Sequence, residues 1–443
     1  MGKVHRYLGL SLAFFLIIIG ATGSIIAFYD DLERTFNARL RVVTPQEQSW
    51  TLHDLLVIRE RLEAQDPRSH VFSLQFPQQP DEPIFSRVMP AIDPLSGEPY
   101  QLDYDEVFAN PYTGDRLGQR VIGEVSLRPD KLPSMIYYLH YALILPLGVG
   151  TLLIGTLGLV WAFESMAGFY LTLPAKLKQG KSSSKPRPFA RRWMTAWQIQ
   201  RGSTSTRRIL DLHRASGLWL WPLLLLFAVT GFALNQGGPY ASFVGKFADY
   251  VHFQEKPPSV PLARPLLNPP VDWFEAAQLG QRYFAEKART EGFTLGKPAA
   301  IEYRRDLGVY FFQMHTSRDL LDAQGNPTET NSPATAATIA IDARDGRFLG
   351  LQLPTGQRAG NTVTSWLMAI HVTAIWGRPW QFAVSAFGLL VVGISVTGVL
   401  MWWRKRKSRQ PRQRTVAPQP IQNSERSVGG TLRGQQLISD VVQ

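Results

Sequence analysis

The chain contains no cysteine in 443 residues. That excludes disulfides, thiolate-held iron–sulfur clusters and covalent cofactor attachment through a CxxCH motif. Charge is scarce as well: Asp, Glu, Lys and Arg make up 19%, against about 25% in an ordinary soluble domain. Acids are the scarcer sign, 35 against 47 basic residues, for a net charge of +12. No G-x-G-x-x-G stretch opens a βαβ unit, so no dinucleotide site of that kind is encoded. Mean hydropathy lies close to zero. With so little charge, apolar and polar residues must therefore be gathered into separate blocks.

Four apolar blocks are long enough for a bilayer, which takes about 20 residues per helix. Residues 7–29, 215–235 and 380–403 carry no charge, and 147–174 carries one, Glu164. The basic residues cluster beside these runs. Residues 173–212 hold ten Lys or Arg and one acid, and 404–414 hold seven and none. Basic clusters flanking spans point to a membrane rather than a nucleic acid, and they place both segments in the cytoplasm. The N-terminus is then inside as well, and the long mixed-charge connections lie on the other side, the periplasm of a Gram-negative cell. ATGS at 21–24 resembles a weak signal-cleavage site. The apolar run is too long for a signal peptide, and its motif recurs at the third span, so an uncleaved helix is expected.

The first and third spans are one motif written twice. VHRYLGL at 4–10 and LHRASGL at 212–218 align, and His5, Arg6, Gly9, Leu10, Thr22 and Gly23 repeat as His213, Arg214, Gly217, Leu218, Thr230 and Gly231. The second and fourth spans match more loosely. IYYLH ends at His140 and WLMAIH at His371, with Gly168 and Gly398 following each by 28 and 27 residues. This duplication predicts a membrane α-helical protein, a four-transmembrane-helix bundle with internal duplication and two α+β outer domains. The expected segments are a first span at 1–29, an outer domain at 30–133, an outer-face segment and second span at 134–174, and a basic loop at 175–208. They continue as a third span at 209–236, a second outer domain at 237–368, an outer-face segment and fourth span at 369–404, and a basic, disordered tail at 405–443.

Four of the eight histidines fall at span edges, one pair per membrane face: His5 with His213 inside, His140 with His371 outside. A lone interfacial histidine is usually a polar anchor. Two symmetric pairs point instead to a metal. Zinc wants three or four protein ligands, and no cysteine or acid was assigned to either level. A haem iron held by two imidazoles needs only two. Gly9 and Gly217, one turn beyond the inner histidines, would leave room for a flat macrocycle, and Arg6, Arg214 and Arg378 would pair with its propionates. Iron ligated on both sides transfers electrons rather than binding oxygen. Glu164 has only an uncharged match, near Ser395, and is read as a structural hydrogen-bonding group. His53, His70, His252 and His315 are expected to be solvated or locally bonded, with Met314–His315 as one place where an iron chelate could approach.

The starts at His5 and His213, LHYAL (139–143), GFYLTLP (168–174) and TGVLMWWRKRK (397–407) together resemble the PepSY-associated transmembrane family, and VFANPYTGDRLG (107–118) resembles a PepSY-domain signature. The resemblance covers residues 1–407. It implies that the outer domains are PepSY-like and periplasmic. It further implies an inner-membrane, multi-pass oxidoreductase of iron uptake, akin to the ferric-siderophore reductases, with two b-type haems held axially by His5, His140, His213 and His371. The implied partners are the lipid bilayer, a ferric siderophore, and a cytoplasmic reductase or quinol as electron donor. Trp273, Tyr310 and Phe312 are candidates for a docking surface. Two alternatives stand beside this: a non-enzymatic PepSY-type binding or assembly protein, and a permease component for iron chelates.

Overall fold

A computed structural model describes residues 2–175, 188–202, 204–253, 257–320 and 336–407. Its first half runs α1 (Gly2–Ile26), α2 (Tyr29–Phe36), α3 (Ala38–Arg41) and α4 (Leu52–Gln65). Then come β1 (Ser69–Gln75), β2 (Ile84–Pro90), β3 (Glu106–Ala109) and β4 (Arg116–Arg120), followed by α5 (Leu132–Ala142) and α6 (Leu147–Thr172). A short α7 (Phe189–Met194) leads into the second half: α8 (Ser205–Trp219), α9 (Trp221–Asn235), α10 (Gly237–Val244) and α11 (Trp273–Glu291). It closes with β5 (Leu295–Arg304), β6 (Val309–Thr316), β7 (Ala337–Asp342), β8 (Phe348–Gln352), α12 (Ala359–His371) and α13 (Gly377–Lys407). Each half is thus a span, a helix and four strands, a short helix, and a second span.

Among the described residues, three helices are long and apolar enough to cross a membrane: α1, α6 and α13. The expected third span is broken. α8 and α9 meet at an angle of 67°, where Pro222 lacks the amide hydrogen that a continuous helix would use and its ring crowds the carbonyl four residues back. α9 alone has 15 residues, about 22 Å at about 1.5 Å per residue, which is short for a hydrocarbon core of about 30 Å. α13 also continues through residues 405–407, where a disordered tail was expected. Residues 408–443 and part of the expected loop, 176–187 and 203, lie outside the described residues.

Helix α1 packs along α13, and α6 along α9. Both crossings are made by small residues, which let backbones approach where no hydrophobic drive separates helix from lipid. A Cβ on Gly388 would sit 2.5 Å from the carbonyl oxygen of Gly20, and one on Gly158 would sit 3.0 Å from that of Ala228. Gly20 and Ala228 are equivalent in the first and third spans. Gly158 and Gly388 are equivalent in the second and fourth. The repeat is therefore built into the packing as well as into the motif. The Ser24 hydroxyl adds a bond to the Ser385 carbonyl at 2.8 Å.

The two outer regions do not keep separate cores. Their strands form one antiparallel sheet in the order β4-β3-β2-β1-β5-β6-β7-β8, joined at the centre where Ser73, Leu74 and Gln75 face Glu302, Ile301 and Ala300. α4 and α11 cover it, and Leu55 and Leu62 share a core with Phe284, Ile301 and Tyr310. Trp273, Tyr310 and Phe312 are buried in that core, so they offer no docking surface. Aromatic rings on alternating strand positions satisfy a sheet face as readily as a binding face, and here the sheet face takes them. α4 begins with a reciprocal capping box between Thr51 and Asp54.

The junction between membrane and sheet is ionic. Glu33, fully buried on α2, and Glu106 on β3 both grip Arg120 at 2.7 Å. Removing the cation would leave two carboxylates without their partner. Arg120→Ala is expected to destabilise the protein by about 3–5 kcal/mol, the usual result of breaking a buried pair. Denaturant titration in detergent measures this, and a loss below about 1 kcal/mol would mean that the triad is solvated.

Candidate functional site: four paired histidines

The structure sets the four edge histidines in two groups. His5 on α1 and His213 on α8 face each other with ring centroids 6.3 Å apart and planes inclined by 61°. His140, at the end of α5, and His371, at the end of α12, are neighbours across the other end of the bundle. Each of these two short helices turns into its span through non-glycine residues at positive φ: Leu143 and Ile144 after His140, Thr373 and Trp376 after His371. The sharp reversal keeps each histidine at the top of the bundle, beside the sheet layer.

Hydrogen bonds fix the tautomers. The Thr22 hydroxyl donates to the Ile18 carbonyl at 2.8 Å, so its oxygen is left to accept from His140 Nδ1, 3.0 Å away. Thr230 repeats this, donating to Leu226 and accepting from His371 Nδ1. At the other end, His213 Nδ1 lies 3.0 Å from the Ile394 carbonyl and 3.1 Å from the Thr397 hydroxyl, which itself donates to Ile394 at 2.7 Å. His5 Nδ1 lies 2.7 Å from the Glu164 carboxylate. Carbonyls and carboxylates only accept, and these three hydroxyls have spent their hydrogens. His140, His213 and His371 therefore carry the proton on Nδ1 and keep the Nε2 lone pair, while His5 Nδ1 touches the Glu164 carboxylate without an aligned hydrogen bond.

Glycines give the rings their space. A Cβ on Gly23 would meet His140 Cε1 at 3.0 Å, one on Gly168 would meet His5 Cε1 at 3.3 Å, and one on Gly398 would meet His213 Cε1 at 3.4 Å. The sequence singled out Thr22, Thr230, Gly168 and Gly398 only as repeat markers. Their function lies in contacts with histidines elsewhere in the chain. A first-row metal ion binding one imidazole on each side at about 2 Å would set the ring centroids about 6 Å apart, as in the His5–His213 pair. Among the described residues no three His, Asp or Glu gather as a metal cage.

Several sequence expectations change. Glu164 lies at the level of His5, which had been read as free of acids, though it stands behind Nδ1 rather than beside Nε2. Gly9 does not open space for a macrocycle: a Cβ there would stand 3.1 Å from Glu164 Oε1, so the glycine makes room for that carboxylate. At Gly217 a Cβ would meet nothing within 4 Å. Two arginines already have carboxylates. Arg378 takes Asp31 through both terminal nitrogens, and Arg214 takes Asp211 and the Thr195 carbonyl. Arg6 lies over the ring of Tyr7 and has no carboxylate partner among the described residues. Met314 and His315 are buried, His315 with its Nδ1 2.8 Å from Asp319, so no chelate reaches them. Burial pushes His70 and His252 down to about 4, and His53 lies against Phe274.

The family model of the PepSY-associated TM region matches residues 3–405. The chain belongs to this family. The match takes in all four paired histidines of this PepSY-associated protein and both halves of its sheet. No curated protein matches the chain.

Nitrogen-15 NMR of histidine-labelled, metal-free protein should report the Nδ1–H tautomer for His371. Thr230→Val, which removes the acceptor and keeps the shape, should shift that ring toward Nε2–H. An Nε2–H ring in the unmodified protein would contradict the assignment.

Proposed function

We propose that this PepSY-associated transmembrane protein carries electrons across the bilayer through two b-type haems and reduces ferric siderophores on the side of the sheet, as a step in iron uptake. The single observation that carries the reading is the common setting of the four histidines: Nδ1 against an oxygen of the chain, in three of them as a hydrogen bond, Nε2 free, and the rings paired. That is the arrangement metal-bound histidines adopt, with the second nitrogen anchoring the ring and strengthening the first as a donor.

The residues fit such a group. His5 and His213 would hold one haem, and His140 and His371 the other. Glycines against three of the four rings keep side chains off the imidazoles. Arg6 is the cation best suited to a propionate, since Arg214 and Arg378 already have carboxylates. When bound, the two haems would supply one-electron transfer with no open coordination position. Phe227 packs against both His371 and Phe387, with ring centroids 4.7 Å apart.

Direction follows from charge. α13 ends in Arg404, Lys405, Arg406 and Lys407, and Arg404 bonds Ser205 at the start of the His213 helix. Basic ends favour the cytoplasmic side, so His5 and His213 face the cytoplasm of a bacterial inner membrane. The donor there is a quinol or a separate reductase, because no nucleotide motif is encoded. His140 and His371 lie next to the sheet. The substrate is the ferric ion of a siderophore. Hard oxygen ligands hold Fe(III) well and Fe(II) poorly, so reduction releases the metal.

Purified protein from porphyrin-fed cells should give a pyridine haemochrome count of two b-type haems per chain, falling to one in His213→Ala and staying at two in His53→Ala. A colourless protein that is otherwise folded would reject the reading and leave a binding or assembly function.

A further inference from the structure

The two halves differ in one electrostatic detail at otherwise equivalent places. Gly158 matches Gly388, and Gly168 matches Gly398, so α6 and α13 align residue for residue. On that alignment Glu164 corresponds to Ile394, and Ala167 to Thr397. In the second half His213 Nδ1 donates to neutral oxygens, the Ile394 carbonyl and the Thr397 hydroxyl. In the first half Ala167 has no hydroxyl, and the group at His5 Nδ1 is the Glu164 carboxylate at 2.7 Å. The outer rings both donate to neutral threonine oxygens. One imidazole of four has an acid against its Nδ1.

That acid is built in. Glu164 is 7% exposed, and neither of its oxygens takes an aligned hydrogen bond from any described residue, so its contact with His5 Nδ1 at 2.7 Å is one of charge and proximity. Gly9, which leaves it room, stands where any larger side chain would press on Oε1. An acid inside a span is costly and persists where it has a specific partner. The partner here is the ring of His5.

We propose that Glu164 is a positioning residue that fixes the His5 ring and sets the electronic character of the inner histidine pair. The inference rests on the function proposed above. A carboxylate held 2.7 Å from Nδ1 favours the proton there by its charge and enriches Nε2, more than a neutral oxygen does. A richer axial donor stabilises Fe(III) over Fe(II). The His5/His213 site therefore has the lower midpoint potential, and the threonine-held His140/His371 site the higher one. That order favours electron flow from the basic face toward the sheet.

The test is a spectroelectrochemical titration of the full-length protein, with the haem count read in parallel. Glu164→Gln keeps the shape and removes the charge. It should retain two haems and shift one of the two midpoints upward, leaving the other in place. Thr397→Ala, which leaves His213 its backbone acceptor, should shift either midpoint much less. Should Glu164→Gln lose a haem, the double change Glu164→Ile with Ala167→Thr, which copies the second half, should restore two haems with the raised midpoint. Two haems at unchanged midpoints in Glu164→Gln would overturn the role of Glu164 and leave the functional reading standing. So would a double variant that fails to recover the lost haem. Wild-type protein without haem would overturn both.

Discussion

An imidazole facing the interior of a membrane bundle keeps its ring nitrogens in order only if one of them has an acceptor fixed by the chain. Three of the paired histidines obtain that acceptor from a helix of their own half, His140 from α1, His213 from α13 and His371 from α9, and His5 has the Glu164 carboxylate of α6 against its Nδ1. The acceptors are side-chain oxygens or helix carbonyls on helices locked by packing, so ring orientation and helix packing are one constraint. A helix that rotated to move Thr22 away would strand the His140 N–H in an apolar setting, at a cost comparable to a lost hydrogen bond. The glycines complete the constraint, because a methyl group on Gly23, Gly168 or Gly398 would press directly on a ring.

The helix crossings follow the same economy. α1 meets α13 through Gly20 and Gly388, and α9 meets α6 through Ala228 and Gly158. The first and last spans pair with each other and the middle two with each other, so the largest helix contacts join one half to the other. Above the membrane the sheet repeats this, since β1 of the first half pairs with β5 of the second. The halves are therefore joined twice, at small residues in lipid and at a strand pair outside it. Between these joints the Glu33–Arg120–Glu106 triad binds the helix that follows α1 to the sheet of the same half. A duplicated chain joined in this way holds the two histidine levels at one end and the other of a single body.

Legibility in the sequence followed the range of each interaction. The duplication could be read because His, Arg, Gly, Leu, Thr and Gly return at one spacing within a single span. The pairing of His5 with His213 followed from that repeat and the charge of the loops. The acceptors could not be read: a threonine in an apolar helix is already explained by its bond to the preceding turn, and nothing local reveals that the Thr22 oxygen has a second use 118 residues away. Arg378 looked unpaired because its carboxylate, Asp31, is 347 residues distant. The joined sheet was hidden for a similar reason, since strand patterns tell which face is buried and not which strand lies alongside. Pro222 was visible within an apolar run, but hydropathy measures length and composition rather than the continuity of the backbone.

The bend at Pro222 shows how the two halves reach equivalent ring positions by unequal routes. α1 runs straight from His5 to its crossing with α13. α9 is packed on α6, and α8, which carries His213, packs instead on α13, where the acceptors of that ring are. The 67° turn swings α8 onto α13 and brings the ring over Gly398. His5 comes to lie just as close to Gly168, with separations of 3.3 and 3.4 Å from the position a Cβ would take. Backbone asymmetry is thus cancelled at the rings, and the chemical asymmetry between a carboxylate and a carbonyl behind them is not. A duplicated bundle under no pressure to distinguish its halves would have no use for a charged group in lipid when a neutral oxygen serves the other half. The persistence of Glu164 beside a glycine that makes room for it therefore points to a difference between the two ends that the bundle is built to keep.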